Sequence, residues 1–365
     1  MKFRKTKRVF AMFLSCTLLL LLAACGGNAG SGSGTAAEPP PADAGADTDS
    51  AAAIEPYTFR ITCGSSPSSS MVAVMTLLCE LLETNSDGAF TTDFLNDNAY
   101  VEKQALDELM TNIIDIVYLG SGAASTTVSE VAYLGMPGCF RFTENAALFL
   151  DFEAKLRDEL AAVYENYDIH YLGLRVPAKM AVVGTGEAVT SPAQLKGKIV
   201  RVAGTWMGKL AVSLDLATAT VPVSELATAL QRKTVDSCIT GIEQVRSTML
   251  GEVVDYCSIL AEVDSVGALV MNGATWDALT DAQRACVDST VEEWMQACLD
   301  ISEQFYDDAV QSVIDANVEP YILTDEECAA FLATIDTVYA EIDQTVGPEG
   351  IALKEAMLAW RAENL

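Results

Sequence analysis

Residues 191–241 read SPAQLKGKIVRVAGTWMGKLAVSLDLATATVPVSELATALQRKTVDSCITG, and the fold turns on the run Lys198-Ile199-Val200-Arg201-Val202 inside them. β-Branched apolar residues packed this closely predict a short buried strand. Ser191-Pro192-Ala193-Gln194, just before it, has the N-cap hydroxyl, early proline and N3 glutamine of a capped helical turn. From Trp206 to Leu216 the pattern is helical. Strand followed directly by helix is the unit of an open α/β sheet, whose ligands collect outside the carboxyl ends of the strands. Arg201 falls near such an end. A buried arginine must reach solvent or meet an anion, because an unpaired buried charge is costly. Two readings stay open for it: a ligand-binding arginine facing a helix N-terminus, or a strand-end arginine paired with one of the many local carboxylates.

Upstream, Thr58–Thr62 alternates as a strand, the loop Cys63–Ser69 feeds a helix to about Leu82, and Asn85-Ser86-Asp87-Gly88 is turn chemistry. Phe90–Leu95 reads as a strand, Val101–Met110 as a helix and Ile113–Tyr118 as a third strand. This βαβαβ order predicts a parallel, doubly wound sheet. An apolar loop at Pro137–Phe142, a helix from Thr143 to about Tyr164 and strands at Ile169–Leu174 and Met180–Val183 complete the approach. Downstream, a helix near Ile242–Leu250 precedes strands near Tyr256–Leu260 and Gly267–Met271. A second capping box, Thr280-Asp281-Ala282-Gln283, starts the longest element. Apolar residues from Val287 to Val313 step by three or four, which predicts one helix of about 35 residues, roughly 50 Å long, able to cross from one lobe to another. Val318–Leu323 reads as a strand, and Thr324 with Glu327 caps a final helix.

Composition narrows the function classes. The 365 residues are 50% hydrophobic with a formal net charge of −29. Lys2, Arg4, Lys5, Lys7 and Arg8 supply five of the cations; without them 17 cations face 51 acids, for −34. Such a surface repels phosphate backbones, so nucleic acid is excluded as a partner. The basic start, the apolar run Val9–Leu22 and Leu22-Ala23-Ala24-Cys25-Gly26 read as a signal peptide over residues 1–24 ending in a sequence similar to a bacterial lipobox, with Cys25 as the lipidated residue. Residues 25–55 are then the lipidated cysteine and a flexible linker of Gly, Ala, Ser, Pro and Asp. Eight further cysteines form no C-x-x-C pair, and His170 is the single histidine, so no metal site is expected. No nucleophile elbow, Walker loop or dinucleotide fingerprint stands in a strand-to-helix context, and no catalytic set or cofactor is expected. His170, between Ile169 and Tyr171, reads as structural.

The densest positive charge in this acidic body is Arg175, Lys179, Lys198, Arg201 and Lys209. Lys179 and Arg201 lie beside predicted strand ends; Lys198 and Lys209 suit solvated charges. A planar guanidinium matches a carboxylate in bidentate fashion, which favours arginine for holding an organic acid.

Together, the lipoprotein start, two α/β lobes, the KIVRV strand and the following SELATALQRKTVD resemble the solute-binding proteins of TRAP (tripartite ATP-independent periplasmic) transporters. Asn112–Ile116 (NIIDI), Leu134–Phe140 (LGMPGCF) and Asn272–Gln283 (NGATWDALTDAQ) are similar to that family's motifs, and the resemblance covers residues 56–345. It implies a two-lobed periplasmic-binding-protein-like α/β fold with a long lobe-spanning helix: lobe 1 over residues 56–174 with about 262–300, lobe 2 over 175–261 with about 301–365. It implies that Arg201 makes a salt bridge to a ligand carboxylate, that Lys179 adds charge, and that Ser65 and Ser66, in the loop 64–68, contact ligand. The family has an aromatic residue where this chain has Val223, and an asparagine where it has Thr240; Trp206 is a candidate replacement wall. The function implied is an extracytoplasmic, lipid-anchored protein that captures a small organic anion in an interlobe cleft and delivers it to integral membrane permease subunits. The binding component of an ATP-driven importer, a sensor, or an exported enzyme on the same scaffold are the alternatives.

Overall fold

A computed structural model describes residues 54–63, 69–95, 102–141, 147–175, 179–221, 225–263 and 266–365. Two sheets divide the strands. The first takes β1 (Tyr57–Thr62), β2 (Phe90–Phe94), β3 (Ile116–Gly120), β4 (Ile169–Arg175) and β10 (Gly267–Asn272) in the order β2-β1-β3-β10-β4. The second takes β5 (Lys179–Gly184), β6 (Ile199–Val202), β7 (Ala217–Thr220), β8 (Ser237–Gly241), β9 (Tyr256–Val263) and β11 (Pro320–Ile322) in the order β11-β9-β5-β8-β6-β7.

Helices α1 (Ser70–Asn85) and α2 (Glu102–Met110) connect the first three strands, which run parallel as the βαβαβ order requires. The sheet as a whole is mixed, because β10 enters antiparallel to both β3 and β4. That insertion joins residues roughly a hundred positions apart, so no local pattern announces it. The same logic explains two other departures from the sequence reading. The third strand begins three residues later than Ile113, and the helix after Arg201, α5 (Gly204–Ser213), stops early enough for β7 to pair with β6 as an edge strand. Short α3 (Ser121–Ala124), α4 (Ala147–Glu165), α6 (Leu226–Gln231), α7 (Ile242–Ser247) and α8 (Gly273–Ala278) fill the layers.

The chain passes between the sheets at two strand junctions and along one helix. Antiparallel neighbours β4 and β10 in the first sheet lead into antiparallel neighbours β5 and β9 in the second. Arg175 faces Gly267 at the last pair on one side, and Lys179 faces Val263 at the first pair on the other. Gly267 has no side chain for a steric reason: a Cβ there would lie 2.0 Å from Oη of Tyr118. The third crossing is α9 (Asp281–Asp315), 35 residues long and opened by the reciprocal Thr280–Gln283 capping box. Its Cys286, Val287, Val291, Trp294, Met295 and Cys298 pack in the core of the first sheet with α1, while Ala309 and Val313 pack in a second-sheet core with α6 and α7. The apolar stripe is core at both ends, while Ile301 and Phe305, between them, are half-buried.

Where the sequence shows one final helix, the structure has three: α10 (Asp325–Phe331), α11 (Ile335–Ile342) and α12 (Pro348–Asn364). Trp360 of α12 packs between Phe140 and Phe152, and its Nε1–H donates to Asp151 at 2.6 Å. The last helix therefore lies against α4 on the first-sheet side, a placement the sequence grouping with the second lobe does not reproduce. Ring complementarity between residues two hundred positions apart decides it.

Candidate functional site

Several conspicuous motifs serve the scaffold. Asp115 is fully buried and accepts from the backbone N–H of Arg60 and from its guanidinium, at 2.6 and 2.8 Å, as well as from Thr275 Oγ1 at 3.0 Å. Asn272 caps α8 by accepting from Thr275 N–H and donates to the carbonyl of Leu109 at 2.8 Å. Trp276 stacks on His170 with ring centroids 3.7 Å apart, and burial pushes the His170 pKa down to about 4. His170 is thus a neutral stacking partner, as its place in a strand suggests.

A cavity of about 570 Å³ opens between the sheets. Ser70 reaches it from the start of α1, Tyr118 from β3, Arg175 from the end of β4, Thr205 and Trp206 from the first turn of α5, and Glu243 from α7. Both sheets therefore contribute to one concave, mostly apolar wall with a few convergent polar groups, the general form of a small-molecule site.

Arg175 is its cation. Only 1% of the residue is exposed. Nη2 donates to Ser70 Oγ at 2.7 Å and to Ser302 Oγ at 3.4 Å, and it lies 3.7 Å from Oε1 of Glu243. The guanidinium sits 5.8 Å from the Tyr118 ring centroid, within cation–π range. Burial works against its charge, Tyr118 and Glu243 favour it, and the balance raises the pKa, so the group is charged at every physiological pH. Glu243 also accepts a short hydrogen bond from Ser70. Ser70, Arg175 and Glu243 thus tie the first-sheet side to the second across the cavity.

The residues singled out in sequence are placed as follows. Trp206 lines the cavity, with the Lys209 ammonium 4.9 Å from its ring centroid; Lys209 is held in turn by Glu341. Arg201 is 3% exposed and is not among the described residues lining this cavity. Its Nε donates to the carbonyl of Val221 at 2.9 Å, and Nη1 lies 4.0 Å from Cys238 Sγ. Strand alternation and the Arg201–Cys238 register put Arg201, Cys238 and Thr240 on one face of the second sheet; Thr240 is 2% exposed. Lys179 runs along α9, its ammonium 4.6 Å from the Tyr306 ring centroid, and burial lowers its pKa against the pull of Asp307 and Glu303. Ser65, Ser66, Val223 and Cys25 lie outside the described residues. Sequence reasoning marked Arg175 only as part of a cationic run, and passed over Ser70 and Glu243. Nothing local distinguishes those two among so many serines and acids; the topology brings them together.

Among the described residues, no cluster of three or more metal-ligating side chains occurs, no helix is long and apolar enough to cross a membrane, and none of the eight cysteines is in a disulfide, seven of them being buried.

Residues 63–345 match the model of the DctP family, described as bacterial extracellular solute-binding protein, family 7. The chain belongs to that family. Family 7 membership fits the interlobe cavity and the three crossings that frame it. Among curated relatives, the 2,3-diketo-L-gulonate-binding periplasmic protein YiaO of Escherichia coli is 25% identical over 281 residues, covering 76% of this chain and 84% of that one. Among solved structures, a TRAP periplasmic solute-binding protein of Marinobacter aquaeolei in an apo open form superposes with a TM-score of 0.76 at 15% identity, covering 82% of this chain and 99% of the other. A TRAP periplasmic solute-binding protein of Roseobacter denitrificans with bound β-D-glucuronate gives 0.72 at 18% identity, with coverages of 82% and 99%. These likenesses establish the two-lobed α/β fold, and family membership establishes solute binding outside the cytoplasm as the protein's role.

Proposed function

We propose that the protein captures a small carboxylic acid between its two sheets, is tethered to the cell membrane through Cys25, and hands its ligand to integral membrane permease subunits of the TRAP type. The carrying observation is the buried guanidinium of Arg175 on the wall of the interlobe cavity. A guanidinium with apolar surroundings and fixed hydroxyls holds a carboxylate far better than one in water. The E. coli relative is named for a sugar acid and the Roseobacter structure holds another; both are carboxylates. Arg201, which the family resemblance nominates, stands off the described cavity wall and supports the site from the second sheet, with Thr240 on the same sheet face; Ser65 and Ser66 extend the site, and Lys179 contributes through the positive potential it lends the crossing. Closure pivots at the strand ends marked by the Arg175–Gly267 and Lys179–Val263 pairs and near the middle of α9, between a lobe built on the first sheet and a lobe built on the second. Binding and release are non-covalent, and the ligand leaves intact.

The test is calorimetry with a panel of sugar acids and short carboxylic acids on the wild type and on Arg175→Met. Binding that is lost in the variant supports the reading; equal affinity in the two proteins overturns the role of Arg175.

A further inference from the structure

Among the described residues the charges on the cavity wall balance: Arg175 is positive, Glu243 negative, and the other described lining residues carry none. Sites built for a bare anion offer excess positive charge. Here the guanidinium already has a carboxylate 3.7 Å away, fixed by Ser70 and presented from the opposite lobe. An incoming anion meets Glu243 wherever it meets Arg175, in a body whose charge of −34 after the first eight residues repels it further. A ligand with its own positive group turns Glu243 from an obstacle into a partner. Two more observations agree. The Nε–H of Arg175, buried with the rest of the side chain, has no hydrogen-bond partner among the described residues and needs an acceptor oxygen. Trp206 presents an indole to the same cavity and already attracts an ammonium, that of Lys209, to its ring.

We propose that the preferred ligand is a zwitterion, a carboxylic acid that also carries a cationic nitrogen, with its carboxylate on Arg175 and its nitrogen between Glu243 and Trp206. This rests on the carboxylate reading above and narrows it: sugar acids and hydroxy acids are the wrong class for this member of the family, and amino acids or betaines the right one. Glu243 is then a specificity-determining residue. Arg175 and Glu243 hold each other in the empty site and part slightly to take the two ends of the ligand, so neither buried charge is left uncompensated at any stage.

Matched ligands that differ only in the nitrogen test this directly. Glycine betaine against 3,3-dimethylbutyrate replaces N⁺ by carbon at constant shape; L-alanine against L-lactate and L-glutamate against 2-hydroxyglutarate replace the ammonium by hydroxyl; glucuronate represents the sugar acids. Titrated into wild type, the nitrogen-bearing member of at least one pair binds about tenfold or more tighter than its partner, as a charge-assisted hydrogen bond from an ammonium to Glu243, or the cation–π and ionic contact of a quaternary nitrogen, requires. In Glu243→Gln that advantage falls to threefold or less, about the discrimination left once the charge is gone. Should Glu243→Gln fail to fold, the wild-type comparison decides alone. If lactate, 2-hydroxyglutarate, dimethylbutyrate or glucuronate binds wild type as well as or better than the nitrogen compounds, the zwitterion inference is overturned and the carboxylate reading stands. If folded wild type binds none of the panel, both are overturned.

Discussion

Arg175 and Arg201 make an instructive pair. Each ends up almost wholly buried, 1% and 3% exposed, at the carboxyl end of a strand in its own sheet. Their partners differ. The guanidinium of Arg175 gathers side chains from α1, α7 and α9, drawn from both sides of the cavity. That of Arg201 is held by a backbone carbonyl just beyond β7 and a thiol on β8, its own strand's neighbours. A buried cation is therefore not informative by itself. What it touches, and from how many independent elements, separates a residue that couples two lobes from one that braces a single sheet.

The sharpest way to break this contrast is to delete each guanidinium. Arg175→Met strands Glu243, whose side chain is 12% exposed, opposite an apolar residue. Removing one member of a buried pair costs about 3–5 kcal/mol, so urea unfolding of the variant shifts by that amount, and Arg175→Met/Glu243→Gln recovers most of it. A loss below about 1 kcal/mol, the range of an exposed pair, places Arg175 in solvent and ends the comparison.

Next comes Gly267→Ala. Its Cβ collides with Tyr118 and the carbonyl of Leu119, beside Arg175 and far from Arg201. Overpacking of this kind costs about 1–3 kcal/mol; because Tyr118 flanks the Arg175 guanidinium, ligand affinity falls with stability. Unchanged affinity in a destabilised variant uncouples Tyr118 from the site.

Arg201→Met removes one hydrogen bond and leaves the Val221 carbonyl wanting a donor, for about 1–2 kcal/mol. If Arg201 also takes the ligand role that the family resemblance implies, the variant loses roughly tenfold in ligand affinity as well, read by calorimetry. A stability loss with full affinity assigns it to the scaffold alone and sharpens the contrast with Arg175.

The smallest effect on ligand affinity belongs to the far end of the Arg175 strand. His170 holds its pKa near 4 in the folded protein against an ordinary value of 6.5. Between those values the unfolded chain takes up a proton that the folded one refuses, so stability declines as pH falls through the window and levels off below 4. Denaturation midpoints at pH 7 and pH 5 show the decline, and His170→Phe, which keeps a ring against Trp276, flattens it. Equal slopes in both proteins contradict a neutral, half-buried His170.

Much of the architecture is legible in the chain itself. The capping boxes at Ser191, Thr280 and Thr324 form as written, and the apolar stripe after Thr280 becomes a helix from Asp281 to Asp315. These depend on neighbours three or four residues apart, where hydrogen-bond chemistry and helical periodicity act directly. The cations Arg175 and Arg201 stand out for a similar reason, since charge is scarce in an apolar strand. The insertion of β10 between β3 and β4, the edge pairing of β7 and the docking of α12 on α4 required the folded chain, because sheet order and ring packing are settled by contacts a hundred or more residues apart.

The site divides along the same line. An acidic, two-lobed α/β binding protein with arginines at strand ends can be read from the linear chain, because composition, periodicity and motif order are properties of it. Which arginine lines the cavity, and which acid stands across from it, follows from the folded chain. Ser70, Glu243 and Ser302 span more than two hundred positions, and nothing local sets them apart from dozens of similar residues. The crossing of β4 into β5 and the length of α9 bring them within hydrogen-bonding reach of Arg175; only in that low-dielectric space do their charges act strongly on one another.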